Sequence, residues 1–440
     1  EKDDAFQLGK QEEWKEISFG LFAAEDITAA DGSVIPQDGL LEVVHVDENG
    51  HAAFTADLPH GKWYVQEYTT DKHYILDGTK YPVEFTYENA AETTVNIRVN
   101  NGEKIENELL RGQIQGKKTD EDGEALEGAL IGLFASEQTE YIEENAILTC
   151  ASGGNGEFQF ENVPWGHWVI AEIAPPTGCV LTDEIHHVYV TEHEQAIQIQ
   201  MENRHIVGRV QISKRDGDYI DEKISSVKFA CYRDNGNGIT DEEDELLGIL
   251  EEIDTGTYQM DGLRYGTYYV LEKSVPNNNY IIDATPYFFE IEHDAETVVI
   301  KNSADGFVNK VRHGELVIAK RSEDEKLEGF SFLIEGTDFA GLSYREIFKT
   351  DADGRIALEL RPGNYAVSEI SDFISARYIL PEDQAVEIKA EETSELEFYN
   401  KLPKIPKTGD DSMLPFVLGV AGMAMGGVIA LIIIRLKRRK

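Results

Sequence analysis

Cysteine is scarce. Three in 440 residues, Cys150, Cys179 and Cys231, are too few for a disulfide framework, and the odd count leaves at least one thiol unpaired. Positive charge is scarce as well: 40 Lys and Arg against 83 Asp and Glu give a formal charge of −43 and a sequence pI near 4.5. Nucleic-acid binding needs a basic stripe, so that class of partner is excluded. No HExxH motif is present, and no nucleophile-base-acid set suited to turnover on an outside substrate, so neither a metalloprotease nor another enzyme is expected and no cofactor is implied. No apolar signal segment precedes Glu1, so the chain reads as the C-terminal portion of something longer, or as a product from which the N-terminus is missing. What is present is a folding composition, 41% hydrophobic and 10% aromatic.

Before residue 413 the pattern is of short runs with period-two alternation, separated by Gly, Asp, Asn and Pro turns. This predicts an all-β ectodomain. A long repeat runs through it, in which a Gly precedes a Glu by six residues with an aromatic between them. The four sets are Gly61, Trp63, Glu67; Gly166, Trp168, Glu172; Gly266, Tyr268, Glu272; and Gly363, Tyr365, Glu369. The next turn carries Tyr74, Cys179, Tyr280 and Tyr378, each before two apolar residues. The junctions repeat more strictly: Asn107, Gly112, Lys118 recur as Asn203, Gly208, Lys214 and as Asn309, Gly314, Lys320, always 11 residues from Asn to Lys. A period near 100 residues predicts separate β-sandwich domains in tandem, at 1–111, 112–207, 208–313 and 314–401.

Strand parity places polar residues inside these domains. Trp168, Ile170 and Glu172 share a face, as do Val210, Ile212 and Lys214, and Leu396, Phe398 and Asn400. A lone buried Lys or Glu is expensive, and each is rarely buried without a partner. A buried salt bridge is one solution. Another consumes the charges: desolvation lowers a Lys pKa and raises a Glu pKa, so a neutral amine and a protonated acid can coexist at pH 7. The amine can then attack an Asn carboxamide while the Glu polarises the carbonyl and shuttles protons, which releases ammonia and leaves a Lys–Asn isopeptide bond. That is a single self-turnover, with the domain as its own substrate.

The chain ends in IPKTG, Ile405, Pro406, Lys407, Thr408 and Gly409, then an uncharged run from Met413 to Ile434 and the basic cluster Arg435, Lys437, Arg438, Arg439 and Lys440. As a helix the 22-residue run covers about 33 Å, one bilayer core. The basic tail at 435–440 keeps the C-terminus cytoplasmic, so everything before the span faces out. The segment 402–412, ahead of this transmembrane helix at 413–434, resembles the LPxTG sorting signal of Gram-positive cell-wall proteins. The resemblance implies cleavage by a sortase between Thr408 and Gly409 and transfer of Thr408 to an amine of the cell wall. Membrane contact would then be temporary.

KTD at 118, KRD at 214, LEGALIGLF at 126–134 and EIAPPTG at 172–178 resemble the Cna B-type, or SpaA-like prealbumin-fold, domains of Gram-positive surface proteins and pilins, over essentially all of residues 1–400. In that family a first-strand Lys, the Glu after the aromatic and a last-strand Asn form the isopeptide. Carried over, the sets are Lys118, Glu172, Asn203; Lys214, Glu272, Asn309; Lys320, Glu369, Asn400; and Lys2, Glu67, Asn107. Asn302 is a second candidate in the third domain, and the junction register favours Asn309. The fourth domain has KRS in place of K-x-D, which changes a turn partner. A YPK-type backbone-pilin motif is absent, since Tyr81 and Pro82 lack the following Lys.

Weaker signals have plainer readings. RDNGNGITDEED at 233–244 resembles a calcium loop with Asn235, Asn237, Asp241 and Asp244 at ligand positions, but Arg233 would hold position one, so a loop insertion in an acidic hairpin is favoured. His186 and His187 are adjacent in a strand and face opposite sides. Cys150 and Cys179 fall in one domain, either paired or free. The expected function is a cell-wall-anchored, isopeptide-stiffened stalk presenting an adhesive region to an unknown surface ligand. Its alternatives are a minor pilus subunit, with Thr408 joined to a pilin lysine in place of peptidoglycan, and the stalk of a surface enzyme.

Overall fold

A computed structural model describes residues 1–10, 12–86 and 94–404. Strands and short 3-10 turns make up its regular structure, with no α-helix among the described residues. No helix there is long and apolar enough to cross a membrane. The sorting segment 405–409, the span 413–434 and the tail 435–440 lie outside the described residues. The chain forms two compact units. Among the described residues, one holds Glu1–Ser213, Phe229–Leu271 and Thr285–Lys301; the other holds Lys214–Lys228, Glu272–Ala284 and 302–404.

The second repeat shows the plan. Strand Arg111–Asp120 lies in the middle of a three-stranded sheet, antiparallel to Glu157–Pro164 and parallel to Ala196–Asn203. A four-stranded sheet, in the order Ile185–Val190, Gly166–Ala174, Leu130–Ala135, Leu148–Ala151, completes the sandwich. Alternation drives this, because every second residue faces the core: Ile114, Ile131, Leu133, Phe158, Phe160, Ile170 and Met201 pack in one cluster. Each such side chain contributes about 1.5–3 kcal/mol by burial. The hairpin that returns to the first strand needs Gly156, whose φ is +78° and whose added Cβ would lie 2.3 Å from the Lys118 carbonyl oxygen. Gly354 does the same against Lys320 in the fourth repeat, with φ +77° and 2.7 Å.

The fourth repeat copies the plan, with Arg355–Leu360, Gly314–Ser322 and Thr393–Asn400 in one sheet and Ser343–Lys349, Ser331–Asp338, Gly363–Glu369 and Gln384–Ile388 in the other. In the third, the last strand is split. Thr297–Ile300 pairs with Arg209–Ile212 and Phe307–Asn309 pairs with Lys214–Asp216, so an excursion through 301–306 separates two halves that follow one partner.

The first repeat departs from the plan. It has the four-stranded sheet, Leu40–His45, Ser18–Ala23, Gly61–Thr69 and Tyr81–Phe85, and a small ribbon of Ile27–Thr28 with Val34–Ile35. Residues 52–58 and 94–98 alternate apolar side chains like the outer strands of a three-stranded sheet, yet neither is a strand. The strand that would lie between them is not formed among the described residues. Residues 3–8 instead close a turn with paired bonds, Asp3 N to Leu8 O at 3.1 Å and Leu8 N to Asp3 O at 2.9 Å.

Candidate functional site

Three Lys–Glu–Asn sets meet in the cores. The parallel pairing places Lys118 opposite Met201 and Asn203 opposite Asp120, so Lys and Asn share a face one pleat apart. The Glu comes from the other sheet, where Glu172 pairs with Ile131. Neither sheet alone holds the set. The fourth repeat keeps this register, with Lys320 opposite Phe398, Asn400 opposite Ser322 and Glu369 opposite Phe332.

Lys118 Nζ lies 3.2 Å from Glu172 Oε1, and Asn203 Nδ2 donates to Glu172 Oε2 at 2.7 Å. Lys320 Nζ lies 3.2 Å from Glu369 Oε2, and Asn400 Nδ2 donates to Oε1 at 2.6 Å. Lys214 Nζ lies 3.2 Å from Glu272 Oε1 and donates to Asn309 Oδ1, while Asn309 Nδ2 donates to both Glu272 oxygens at 3.0 Å. All six Lys and Glu side chains are fully buried. Each carboxylate thus bridges an amine and a carboxamide nitrogen. The Lys118 approach is within ion-pair range but too bent for a hydrogen bond, and Lys118 Nζ and Asn203 Oδ1 have no hydrogen-bond partner among the described residues.

Burial pushes all three lysines below the ordinary ammonium value, against the pull of the neighbouring Glu, and takes Lys214 to about 8. Lys214 Nζ lies 4.4 Å from the centre of the Phe307 ring and Lys320 Nζ 4.7 Å from that of Phe330. These apolar neighbours are not evident from the Lys, Glu and Asn positions alone. Parity shows the first, because Phe307, Phe398 and Met201 each stand two residues before the Asn. The low Lys214 value gives a prediction for Asn309→Ala, which leaves an unreacted amine. Unfolded, that lysine titrates near ~10.4, so between about 8 and ~10.4 the unfolded chain binds more protons. Stability of this variant should rise as pH climbs through that window; a urea midpoint flat from pH 7 to 10 would contradict it.

A backbone amide also holds the Glu. Thr182 N donates to Glu172 Oε2 at 3.0 Å, Asp283 N to Glu272 Oε2 at 2.7 Å and Asp77 N to Glu67 Oε2 at 2.7 Å. Each donor follows the aromatic-or-Cys position and its apolar pair, a signal present in the sequence. In the fourth repeat that place is Pro381, which has no N–H to give.

In the first repeat Asn107 Nδ2 donates to Glu67 Oε1 and, at 2.7 Å, to Thr70 Oγ1. Lys2 is not with them. It is exposed, with its charge acting on Asp4, and the residues after it close the Asp3–Leu8 turn. That turn belongs to the next junction, where Arg111 donates to Asp3 at 2.8 Å and to Glu1 at 3.0 Å and Phe6 packs on Trp168. Asn302 stays outside the third set, donating to Asp283 at 3.0 Å and accepting from Val308 N at 2.7 Å.

The acidic loop is bonded to itself. Asp234 accepts from Gly236 N and Gly238 N, Asp241 from the Asn235 and Asn237 amides, and Asp244 from Asn235 N. No group of three or more potential metal ligands occurs among the described residues. His187 meets His167 at 3.0 Å, and His186 pairs with Glu184. Cys150, Cys179 and Cys231 are all free thiols, with Cys179 and Cys231 buried.

Comparison with known proteins agrees with this architecture. The SpaA family, a prealbumin-like fold domain, matches at residues 9–101, 112–205, 208–304 and 314–402. No curated protein sequence matches the chain. Among solved structures, the Bacillus anthracis TIE protein is similar at 20% identity over 88% of this chain and 68% of that one, with a TM-score of 0.51. BcpA, the major pilin subunit of Bacillus cereus, is 14% identical over 67% of this chain and all of that one, with a TM-score of 0.34. GBS52, the minor pilin of Streptococcus agalactiae, is 17% identical over 46% and 99%, with a TM-score of 0.22. With four tandem matches that take in most of its length, each over a β-sandwich or part of one, the chain belongs to the SpaA family of prealbumin-like fold domains.

Proposed function

We propose that the chain is the stalk of a Gram-positive surface protein, with its second, third and fourth domains each locked by one Lys–Asn isopeptide bond. The observation that carries this is the bridging carboxylate, with one oxygen beside the lysine nitrogen and the other on the carboxamide nitrogen, in a site without water access. Glu takes the ammonium proton, and the neutral Nζ attacks the Asn Cγ. Glu then returns that proton to Nδ2, the C–N bond breaks and ammonia leaves, while the second proton of the attacking Nζ passes to the Glu, which ends protonated. One amide replaces another, and the atoms balance. In this reading the Glu acts chiefly on the leaving nitrogen, because that is where its second oxygen points.

A bond from first strand to last ties the sheet that load would peel, and it does so without cysteine. The IPKTG segment then passes the stalk to a sortase, which joins Thr408 to a peptidoglycan amine. A pilin-lysine acceptor would instead give a high-mass ladder in wall extracts. The test of the bonds is intact mass: the purified chain should be lighter than its sequence by three ammonia, and Glu172→Ala should restore one. An unshifted mass in a folded sample would sink the reading.

A further inference from the structure

We propose that His167 and His187 form a two-point binding site for a divalent transition ion of right-angled geometry, nickel or copper, on the outer face of the second domain. Strand register builds the pair. Gly166–Ala174 and Ile185–Val190 run antiparallel with His167 opposite Tyr189 and Val169 opposite His187, which sets the two histidines diagonally across the strands on one face. That face points away from the main core, because Ile170 and Val188, of the other parity, lie within it. His186 has the parity of Val188 and pairs with Glu184, so the histidines adjacent in sequence are not the pair in space.

Distance decides what the pair can hold. His167 Nε2 and His187 Nδ1 lie 3.0 Å apart. Two ligands at right angles, each ~2.1 Å from one ion, stand about 3.0 Å apart, whereas two on a tetrahedral ion stand about 3.4 Å apart. The spacing therefore suits Ni²⁺ and Cu²⁺, both of which take imidazole in tetragonal sites, ahead of Zn²⁺. Without an ion the same spacing holds one N–H···N hydrogen bond between the rings. When the ion enters, each neutral ring keeps its proton on the outer nitrogen, His167 Nδ1 and His187 Nε2, and both inner lone pairs turn to the metal.

The rings are held in place and open to solvent. Tyr189 stacks on His167 with the ring centres 4.3 Å apart and the planes 10° apart, while Val169, between the two histidines on that face, is fully buried against Phe134. His187 is exposed and His167 half-buried, so an ion can reach both nitrogens from outside. No cluster of three potential ligands exists among the described residues, which leaves the other positions on the ion to water. Binding one imidazole presents the second at once, and this chelation is the source of the affinity. The bound ion would also pin Ile185–Val190, an edge strand of its sheet, to the strand beside it.

The probe is Ni²⁺, titrated into the full chain without an affinity tag and followed by calorimetry. One ion per chain should bind ahead of any other, hydrogen exchange at 185–190 should slow, and EDTA should reverse both. His167→Gln and His187→Gln should each weaken that binding by about tenfold or more, since each leaves a single imidazole. His186→Gln, on the opposite face, should bind as the parent does, and Zn²⁺ should bind the parent more weakly than Ni²⁺. No saturable binding, or binding that His167→Gln and His187→Gln leave unchanged, would overturn the inference. An equal loss in His186→Gln would place the ion elsewhere and overturn it too, as would a preference for Zn²⁺.

Discussion

Glu369→Gln should leave the fourth domain folded and unbonded. The substituted amide keeps the volume of the side chain and an oxygen to accept from Asn400 Nδ2, but it cannot carry the proton from Lys320 to the leaving nitrogen. The bond it prevents would close a loop of roughly 80 residues between Lys320 and Asn400, and a cross-link of that span is worth about 4–5 kcal/mol on the chain-entropy account. For a domain of this size that is a fall in melting temperature of roughly 20–30 °C. Calorimetry of the variant should show one transition moved down by that order, and intact mass should rise by one ammonia relative to the unaltered chain. A variant that melts where the parent does, or that is still lighter than its own sequence by three ammonia, would show that Glu369 does not serve this reaction.

Much of this is legible in the sequence. Parity alone aims Glu172, Lys214 and Asn400 inward, because a pleated strand allows two faces and the apolar neighbours fix which is the core. The junction spacing of 11 residues favours Asn309 over Asn302, and the split strand explains why it works. The excursion at 301–306 lengthens the path from Glu272 to the Asn without altering the step from that Asn into the next first strand. Lys2 fails for the complementary reason. Position relative to Asn107 says nothing about whether a strand forms, and the turn closed by Asp3 and Leu8 takes those residues to the next domain's Arg111. The Asp after the first-strand Lys is visible as K-x-D, but the partner of Asp216 is not, since Arg361 lies 145 residues further on, in the following repeat.

That partner gives the second large effect, Arg361→Ala. Within the second unit, Arg361 is almost wholly buried and donates Nη1 to Asp216 Oδ1 at 2.7 Å, Nη2 to Asp216 Oδ2 at 2.7 Å, Nη1 to Asp218 at 2.9 Å and Nε to Asp338 at 2.5 Å. The Tyr280 hydroxyl adds a bond to Asp216 at 2.8 Å, and the guanidinium lies 4.9 Å from the centres of the Tyr219 and Phe339 rings. Two repeats are joined here, through the Asp that follows Lys214 and the Arg two residues before Gly363. Arg264, two residues before Gly266, reaches Asp122 at 3.0 Å, the counterpart of Asp218, in an exposed pair. Ser322 stands in place of the Asp in the fourth repeat. Removing the guanidinium strands Asp216 and Asp338 in a dry site, a loss of about 3–5 kcal/mol. Burial on its own would raise the Asp216 pKa, but the bonds from Arg361, Asp218 N and Tyr280 outweigh it and hold the carboxyl below its ordinary range. The sign follows: the contribution is full above the unfolded value near ~3.9 and is lost as pH falls through the lower folded value. Arg361→Ala should therefore open the junction at neutral pH, seen as new protease cleavage around Gly217 and Pro362, and should flatten the acid limb of the parent's stability curve. An uncleaved variant with the parent's acid limb would mean that the arginine is a passenger in a junction held by its aromatic residues.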